Sequence, residues 1–315
     1  MLTLHEMAQH LLRCKEVCIV YHIRPDGDCI GSAFALAFAL QSAGIRAAVT
    51  GRDPVPRAFR YLTDAFVPDT LHDPVYFSLD TSSAYRTGPF AQQHFTFCID
   101  HHNGNTVAAD YKYVEPDCGA CSEIIYKLLT EMQIRVTKQI ADLLYTALVT
   151  DTLCFRTGDT DAQSFRTAAA LAECGADVEK IGRRHMMKKT KGRMQVEAAL
   201  QRSLHFLCEG QLITGILLLA DLDAAGMDDS DLEGINAYIE QYADMRIGVT
   251  LREIPDGRTR CSVHTADEIS AHEICRHFGG GGHRNAAGCE LDAAPEQARG
   301  ILEAYCKQIL EGSTI

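Results

Sequence analysis

Asp100-His101-His102 closes the apolar run Phe95-Thr96-Phe97-Cys98-Ile99, so a burst of metal-capable side chains follows alternating β-formers. Three further bursts repeat that arrangement. His22-Ile23-Arg24-Pro25-Asp26-Gly27-Asp28 follows the apolar residues 17–21, Asp80 follows 75–79, and Asp151 follows 143–150. An isolated His pair belongs more often to a surface or a core than to a metal. Four acidic or imidazole clusters, each at the end of an apolar segment, point instead to one shared polynuclear metal site. His22 and Asp26 bring two ligands from one turn, and Asp28 points to a neighbouring position, a spacing that serves two ions better than one. Carboxylates that bridge two cations ~3.5–4 Å apart are what a dinuclear hydrolase needs to activate water and screen a phosphoryl group. A Ser/His/Asp or Cys/His nucleophile is the other chemistry open to such residues, but no Ser-containing elbow calls for it.

The elements that must position these side chains follow from the apolar pattern. Strands expected over 17–22, 46–51, 75–79 and 95–99, with helical or irregular segments between them, predict a largely parallel sheet with covered faces. The site then lies at the carboxyl ends of the strands. Ser32 is the expected N-cap of a helix through Gln41 that stops near Gly44. Gly31-Ser32 would present free backbone N–H groups to a phosphate or carboxylate, or simply cap the helix. Amphipathic spacing predicts helices over 122–135, 138–150 and 161–174, with Asp151 at the end of the second.

Beyond residue 200 the pattern changes. A strand over 212–220, a helix over 228–242, a hairpin pairing 246–253 with 259–264 across Pro255-Asp256-Gly257, and a helix over 266–278 form an α+β unit. The fold class is α/β: a mostly parallel sheet in an N-terminal domain (1–182), and a second, smaller α+β domain (201–315) across a cleft. Within the connector, 183–200, the run 183–193 carries Arg183, Arg184, Lys188, Lys189, Lys191 and Arg193 and no acid. That run reads as a solvated hinge, or as a funnel for phosphates. Gly279-Gly280-Gly281-Gly282 removes four β-carbons in succession before His283, so backbone N–H groups can crowd around an anion or a partner backbone.

The totals exclude several classes. A length of 315 residues suits two domains, and 46% apolar with 23% charged content is that of an ordered globular chain. A net charge of −12 argues against coating long duplex nucleic acid, so a polyanionic substrate must be gripped locally by metals and a few donors. Residues 1–15 hold no signal-peptide apolar core, and no apolar run approaches the ~20 residues of a spanning helix. The expectation is a cytoplasmic protein without a membrane partner. Thirteen cysteines in such a chain are expected to be reduced core thiols. Cys118-Gly-Ala-Cys121 has redox or half-zinc spacing, yet it lacks a second pair and opens a helix, which favours a structural role.

His22-x-x-Pro25-Asp26-Gly27-Asp28-x-x-Gly31-Ser32, Asp80-Thr81-Ser82, Asp100-His101-His102-x-x-Asn105 and Thr150-Asp151-Thr152 resemble the four signature motifs of the DHH phosphoesterase superfamily. Gly279 to His283 with Ala286-Ala287-Gly288 resembles its DHH-associated C-terminal domain. The two-domain length, without sensor or extra nucleic-acid domains, looks most like the nanoRNase type, a bifunctional oligoribonuclease and 3′-phosphoadenosine 5′-phosphate phosphatase. The resemblance implies two divalent cations, Mn²⁺ foremost: one held by His22, Asp26 and Asp80, the second by Asp28, Asp80, His101 and Asp151. It implies that Asp80 bridges them, that Asp100 orients His101, and that His102 faces the scissile phosphate. It further implies substrate contacts from Asn105, Gly280, Gly281, Gly282 and His283.

One departure stands out. Where the family commonly shows Ser-x-Arg-Ser, this chain reads Ser262-Val263-His264-Thr265, so His264 replaces a phosphate-gripping Arg or passes that task to Arg252, Arg260, Arg284 or the connector. The substrates implied are short single-stranded oligonucleotides and nucleotide bisphosphates, cut by a homodimer or a monomer. The competing readings are a phosphodiesterase for cyclic dinucleotides or their linear products, and a non-catalytic nucleotide-binding module.

Overall fold

The computed structural model describes residues 2–232, 234–266, 268–282 and 284–312. They divide into two compact units, Met1–Lys188 and Lys189–Ile315.

The first unit begins with α1 (Leu4–Leu11), where the Thr3 hydroxyl accepts from Glu6 N and the Glu6 carboxylate accepts from Thr3 N. Five parallel strands follow: β1 (Glu16–Val20), β2 (Arg46–Thr50), β3 (Val75–Leu79), β4 (Phe95–Asp100) and β5 (Ala109–Val114), arranged β2-β1-β3-β4-β5. β1 is buried along its whole length, as expected of a strand covered on both faces. The chain runs outward from β1 to β2 and then returns to β3 on the other side. The gap between the carboxyl ends of β1 and β3 is therefore the topological switch point, where open sheets hold their ligands.

Helix α2 (Gly27–Ser42) leaves that switch point and is buried at nearly every residue to Leu40. It packs against α5 (Lys138–Asp151) so closely that a β-carbon on Gly31 would lie 2.5 Å from Leu143 O. One on Gly27 would lie 2.2 Å from Thr150 Oγ1. The expected N-cap at Ser32 is corrected by this arrangement. Asp26 caps the helix, its carboxylate accepting from Cys29 N at 3.0 Å, and Ser32 lies buried inside it. Gly31 and Ser32 accordingly present no anion-binding N–H groups. The glycines serve interhelical contact instead.

The unit is completed by the short α3 (Arg60–Thr63), a 3₁₀ segment over Ala84–Phe90, α4 (Cys121–Glu131), α6 (Ala162–Glu173, capped by Asp161) and α7 (Val178–Gly182). α7 runs into a single π turn over Arg183–Met187. There Arg184 lies 3.8 Å over the Tyr61 ring and His185 stacks on Phe59 with centroids 5.3 Å apart. Burial, aided by Arg184, pushes the His185 pKa down to about 4.

The second unit has six strands in the order β10-β11-β9-β8-β7-β6. They are β6 (His205–Leu207), β7 (Leu212–Leu217), β8 (Ile247–Glu253), β9 (Thr259–Thr265), β10 (Gly281–Gly282) and β11 (Ala286–Leu291); β7 and β8 pair in parallel and the rest antiparallel. Helices α8 (Lys191–Arg202), α9 (Leu219–Ala225), α10 (Ala271–His277) and α11 (Pro295–Leu310) accompany the sheet. The helix expected over 228–242 is instead two short 3₁₀ turns, Asp229–Asp231 and Asn236–Gln241. The one expected over 266–278 starts only at Ala271, where the Ser270 hydroxyl accepts from Glu273 N. Lys189 and Arg193 of the basic run both pair with Glu197. Among the described residues, no helix is long and apolar enough to cross a membrane.

Candidate metal centre

The ends of β1, β3 and β4, the first turn of α2 and the last residue of α5 bring the candidate ligands together. His22 follows β1 and is fully buried; its Nε2 lies 3.3 Å from Asp26 Oδ2 and 3.8 Å from Asp80 Oδ2. Asp80 follows β3 in a left-handed backbone conformation, φ 52°, which Asp tolerates better than most residues. Its N–H donates to Ile99 O of β4 at 2.9 Å, which fixes that conformation. His101, just past β4, directs Nε2 at three carboxylates: Asp80 Oδ1 at 3.4 Å, Asp151 Oδ2 at 3.5 Å and Asp28 Oδ2 at 3.8 Å.

Asp28 is held from behind. Its Oδ2 accepts from Cys121 N at 2.6 Å, and its Oδ1 from Ser122 N at 3.1 Å and from the Ser32 hydroxyl at 2.9 Å. The first N–H groups of α4 thus anchor a carboxylate rather than a ligand, a favourable use of a helix N-terminus. Cys121 is the first residue of that helix and Cys118 lies just before it; burial pushes both thiols well above the usual range. Their role is structural: Cys118 O receives His101 Nδ1 at 3.0 Å, which leaves Nε2 aimed at the carboxylates.

The ligand atoms fall into three groups, each within 4.8 Å of one another: His22, Asp26, Cys29 and Asp80; Asp80, His101 and His102; and Asp28, His101 and Asp151. Asp80 and His101 link them. Cys29 is a member that the sequence pattern did not single out, because a buried Cys inside an apolar helix has no distinguishing neighbour. Two buried atoms of this cluster, His22 Nε2 and Asp80 Oδ1, have no hydrogen-bond partner. A buried imidazole nitrogen and a buried carboxylate oxygen without hydrogen bonds are costly unless a cation satisfies them.

The electrostatics agree. Burial, then repulsion from Asp28 and Asp26, pushes the Asp80 carboxyl well above its usual range. Burial likewise raises Asp151, and His101 only partly offsets it. Burial opposes the charge on His101, but Asp151, Asp80 and Asp28 outweigh it and hold its pKa up at about 10. Carboxylates packed this tightly retain protons without a counter-charge. Oxygen and imidazole donors in this ratio fit Mn, Fe, Zn or Mg, so divalent cations match the residues present.

Asp100 does not orient His101, contrary to expectation. Its Oδ1 accepts from His102 Nδ1 at 2.7 Å, and its Oδ2 from Asn105 Nδ2 at 2.5 Å. Asn105 also donates to Thr81 O and accepts from Val107 N, so its amide is committed to the loop rather than presented to a substrate. Arg86, which carried no sequence signal of its own, places Nη2 3.0 Å from His22 Nδ1.

The glycine run is a hairpin. β10 pairs with β11, Gly281 opposite Gly288 and Gly282 opposite Ala287. A β-carbon on Gly280 would meet Gly288 O at 2.2 Å, and one on Gly282, φ +149°, would meet Ala287 Cα at 2.6 Å; one on Gly281 would meet nothing. His283 lies outside the described residues. His264 on β9 pairs through Nδ1 with Glu240, whose carboxyl it lowers. Arg252 and Arg260, opposite one another on β8 and β9, share the Asp229 carboxylate at 2.7 and 2.9 Å.

The DHH family, N-terminal domain, matches residues 16–148, and the DHHA1 domain matches residues 212–311. The chain is 29% identical over 310 residues to the bifunctional oligoribonuclease and PAP phosphatase NrnA of Thermus thermophilus, covering 93% of this chain and 90% of that protein. It is 37% identical over 106 residues to a probable manganese-dependent inorganic pyrophosphatase of Streptococcus equi subsp. equi, 32% of this chain and 34% of that protein. Among solved structures, an exopolyphosphatase-related protein from Bacteroides fragilis superposes with a TM-score of 0.88 at 19% identity, covering 97% of this chain and 96% of that one. That likeness establishes the fold.

Proposed function

Because the chain belongs to the DHH phosphoesterase superfamily, a metal-dependent hydrolase with a DHHA1 domain behind its DHH domain, we propose that it degrades very short oligoribonucleotides to mononucleotides and removes the 3′-phosphate of adenosine 3′,5′-bisphosphate. The observation that carries this reading is the linked grouping of His22, Asp26, Asp28, Asp80, His101 and Asp151, in which His22 Nε2 and Asp80 Oδ1 lie buried without a hydrogen bond. The choice of substrate is supported by the end-to-end similarity to a bifunctional oligoribonuclease and PAP phosphatase. The choice of Mn²⁺ is supported by the manganese-dependent relative and by the oxygen-rich donor set.

In this reading His22, Asp26 and Asp80 would hold one cation and Asp28, Asp80, His101 and Asp151 the other. When bound, two such cations acidify water and screen the phosphoryl charge. The chain supplies the rest. Cys118 O and the α4 amides fix His101 and Asp28, so that the ligands are set before metal arrives. Asp100 accepts a hydrogen bond from His102 Nδ1, so His102 presents Nε2 to the phosphate or the leaving oxygen and, when doubly protonated, can donate a proton there. In the glycine run of the second unit Gly281 leaves open space for a ligand's approach, and His264, paired with Glu240, stands where the family carries Arg.

The test is turnover by the full-length, Mn²⁺-loaded protein of a 5′-labelled diribonucleotide and of adenosine 3′,5′-bisphosphate. Release of mononucleotide from the first and of inorganic phosphate from the second is expected. A folded, Mn²⁺-binding protein that consumes neither overturns the reading, and preferential cleavage of pyrophosphate or of a cyclic dinucleotide replaces it.

A further inference from the structure

A pocket of about 330 Å³ opens beside the metal cluster in the first unit, lined by Ile23, Arg52, Tyr85, Gly88, Pro89 and Ala91. Two of its walls are joined directly to the cluster. Ile23 follows His22 and donates its N–H to Arg86 O at 2.7 Å; Tyr85 precedes Arg86, whose guanidinium reaches His22 Nδ1.

Three features make this a site rather than a dent. Tyr85 is 78% exposed, yet it is carried on an ordered turn, closed by Arg86 N donating to Ser83 O at 3.0 Å and by the Thr87 hydroxyl donating to Ala84 O at 2.6 Å. A large ring held out in water adds little to a core; its faces are open to another flat ring. Gly88 forms the floor. Its φ of +63° favours glycine, and a β-carbon there would lie 3.0 Å from Ile23 Cγ2 and 3.1 Å from Arg52 Cβ, so any side chain would fill the space that glycine leaves open. Arg52 is exposed, with its nearest carboxylate contact to Asp53 at 3.9 Å, which leaves the guanidinium plane able to stack or to donate to the edge of a heterocycle. The volume is at the small end for ligand pockets and suits one ring system rather than a whole dinucleotide.

We propose that this pocket holds the nucleobase of the nucleotide adjoining the scissile phosphate, stacked on Tyr85 and edged by Arg52. The proposal rests on the phosphoesterase reading above and adds a base subsite to it. Stacking accepts any base, so the subsite confers a requirement for a base without choosing its identity.

The experiment is a cycle that crosses Tyr85→Ala with removal of the base from the substrate. The substrates are a diribonucleotide and its two analogues, abasic on the 5′ or the 3′ side, turned over by the full-length Mn²⁺-loaded protein. On the intact dinucleotide Tyr85→Ala is expected to raise KM about tenfold or more, the loss of one stacked base, and Tyr85→Phe to restore it. The two deletions should be non-additive for one of the abasic analogues: once that base is gone, removing the ring costs little more. Additive losses with both analogues overturn the proposal, as does an unchanged KM on the intact dinucleotide. Binding of 2-aminopurine riboside 5′-monophosphate keeps the test independent of turnover. Its fluorescence should be quenched by the wild-type protein and by Tyr85→Phe but not by Tyr85→Ala; equal quenching by all three overturns the subsite even where hydrolysis fails.

Discussion

His102 Nδ1 donates to Asp100 Oδ1 at 2.7 Å, while its neighbour His101 gives Nδ1 to the Cys118 carbonyl instead. Two adjacent imidazoles therefore have two different anchors, a carboxylate and a backbone oxygen. On the proposed reading the pairing would divide the work between the two rings, His101 turning Nε2 to the metal site and His102 backed by a carboxylate for proton transfer.

Asp100→Asn tests that division. An amide keeps the shape but no longer compels the Nδ1–H tautomer, so kcat should fall by about 10²-fold or more while KM and bound Mn²⁺ per chain stay near wild type. Metal analysis alongside steady-state kinetics checks this. Loss of metal in step with kcat would show that Asp100 acts through the ligands after all.

Asp80→Asn should separate metal binding from folding. Asp80 is buried, repelled by Asp28 and Asp26, and left with an orphaned Oδ1, so in metal-free protein its charge is a liability. Asn keeps the left-handed backbone tolerable at φ 52°. With EDTA the variant should melt at or above the wild-type temperature. With Mn²⁺ at about 100 times its Kd, wild type should gain roughly 2.7 kcal/mol and the variant nearly nothing. Thermal scans with and without metal decide; a variant that still gains the full shift would remove Asp80 from the bridging position.

Metal binding should expel protons. Burial raises Asp80 and Asp151, and the surrounding carboxylates hold His101 at about 10, so all three are shifted upward in the metal-free protein. A raised pKa means the folded chain holds protons that the unfolded chain has lost, so this contribution to stability is present at low pH and fades as pH rises. For His101 the window runs from its ordinary value near 6.5 up to about 10. Ligation requires the deprotonated forms, so Mn²⁺ affinity should climb with pH across that window. Calorimetric titration at pH 7.5 in buffers of different ionisation enthalpy should register at least one proton released per chain. Buffer-independent heats would contradict the shifts.

What could be read from sequence was whatever depends on residue type at the end of a strand. His22, Asp80 and Asp100 to His102 stand at or just past the end of largely apolar strands, and a strand fixes the direction of the residue that ends it. Helix entry was harder. Asp26 and Ser32 are both good caps, and only the contact of Gly27 and Gly31 with α5, a tertiary fact, selects the earlier one. The segment 228–242 carries helical spacing, but Asp229 and Glu240 are drawn to Arg252, Arg260 and His264 on the sheet, and the chain there breaks into two turns. The partner of Asp100 was beyond reach for a similar reason: adjacent histidines are equivalent in sequence and become distinct only when Cys118 O claims one of them.

The glycine run permits the sharpest separation of folding from binding, because its members have different neighbours. A β-carbon at Gly280 would lie 2.2 Å from a carbonyl oxygen, and one at Gly282 2.6 Å from the Ala287 backbone, so neither obstruction can swing aside as a side chain would. Gly280→Ala and Gly282→Ala should each push β10 away from β11 and cost about 1–3 kcal/mol, seen as a lower Tm and faster amide exchange at Ala287 and Gly288. Gly281→Ala meets nothing within 4 Å and should leave the Tm within about a degree. If the hairpin approaches substrate closely, Gly281→Ala alone will raise KM for the dinucleotide while its melting curve overlays that of wild type. A KM that stays unchanged in Gly281→Ala but rises in the other two would assign the glycines to strand pairing only.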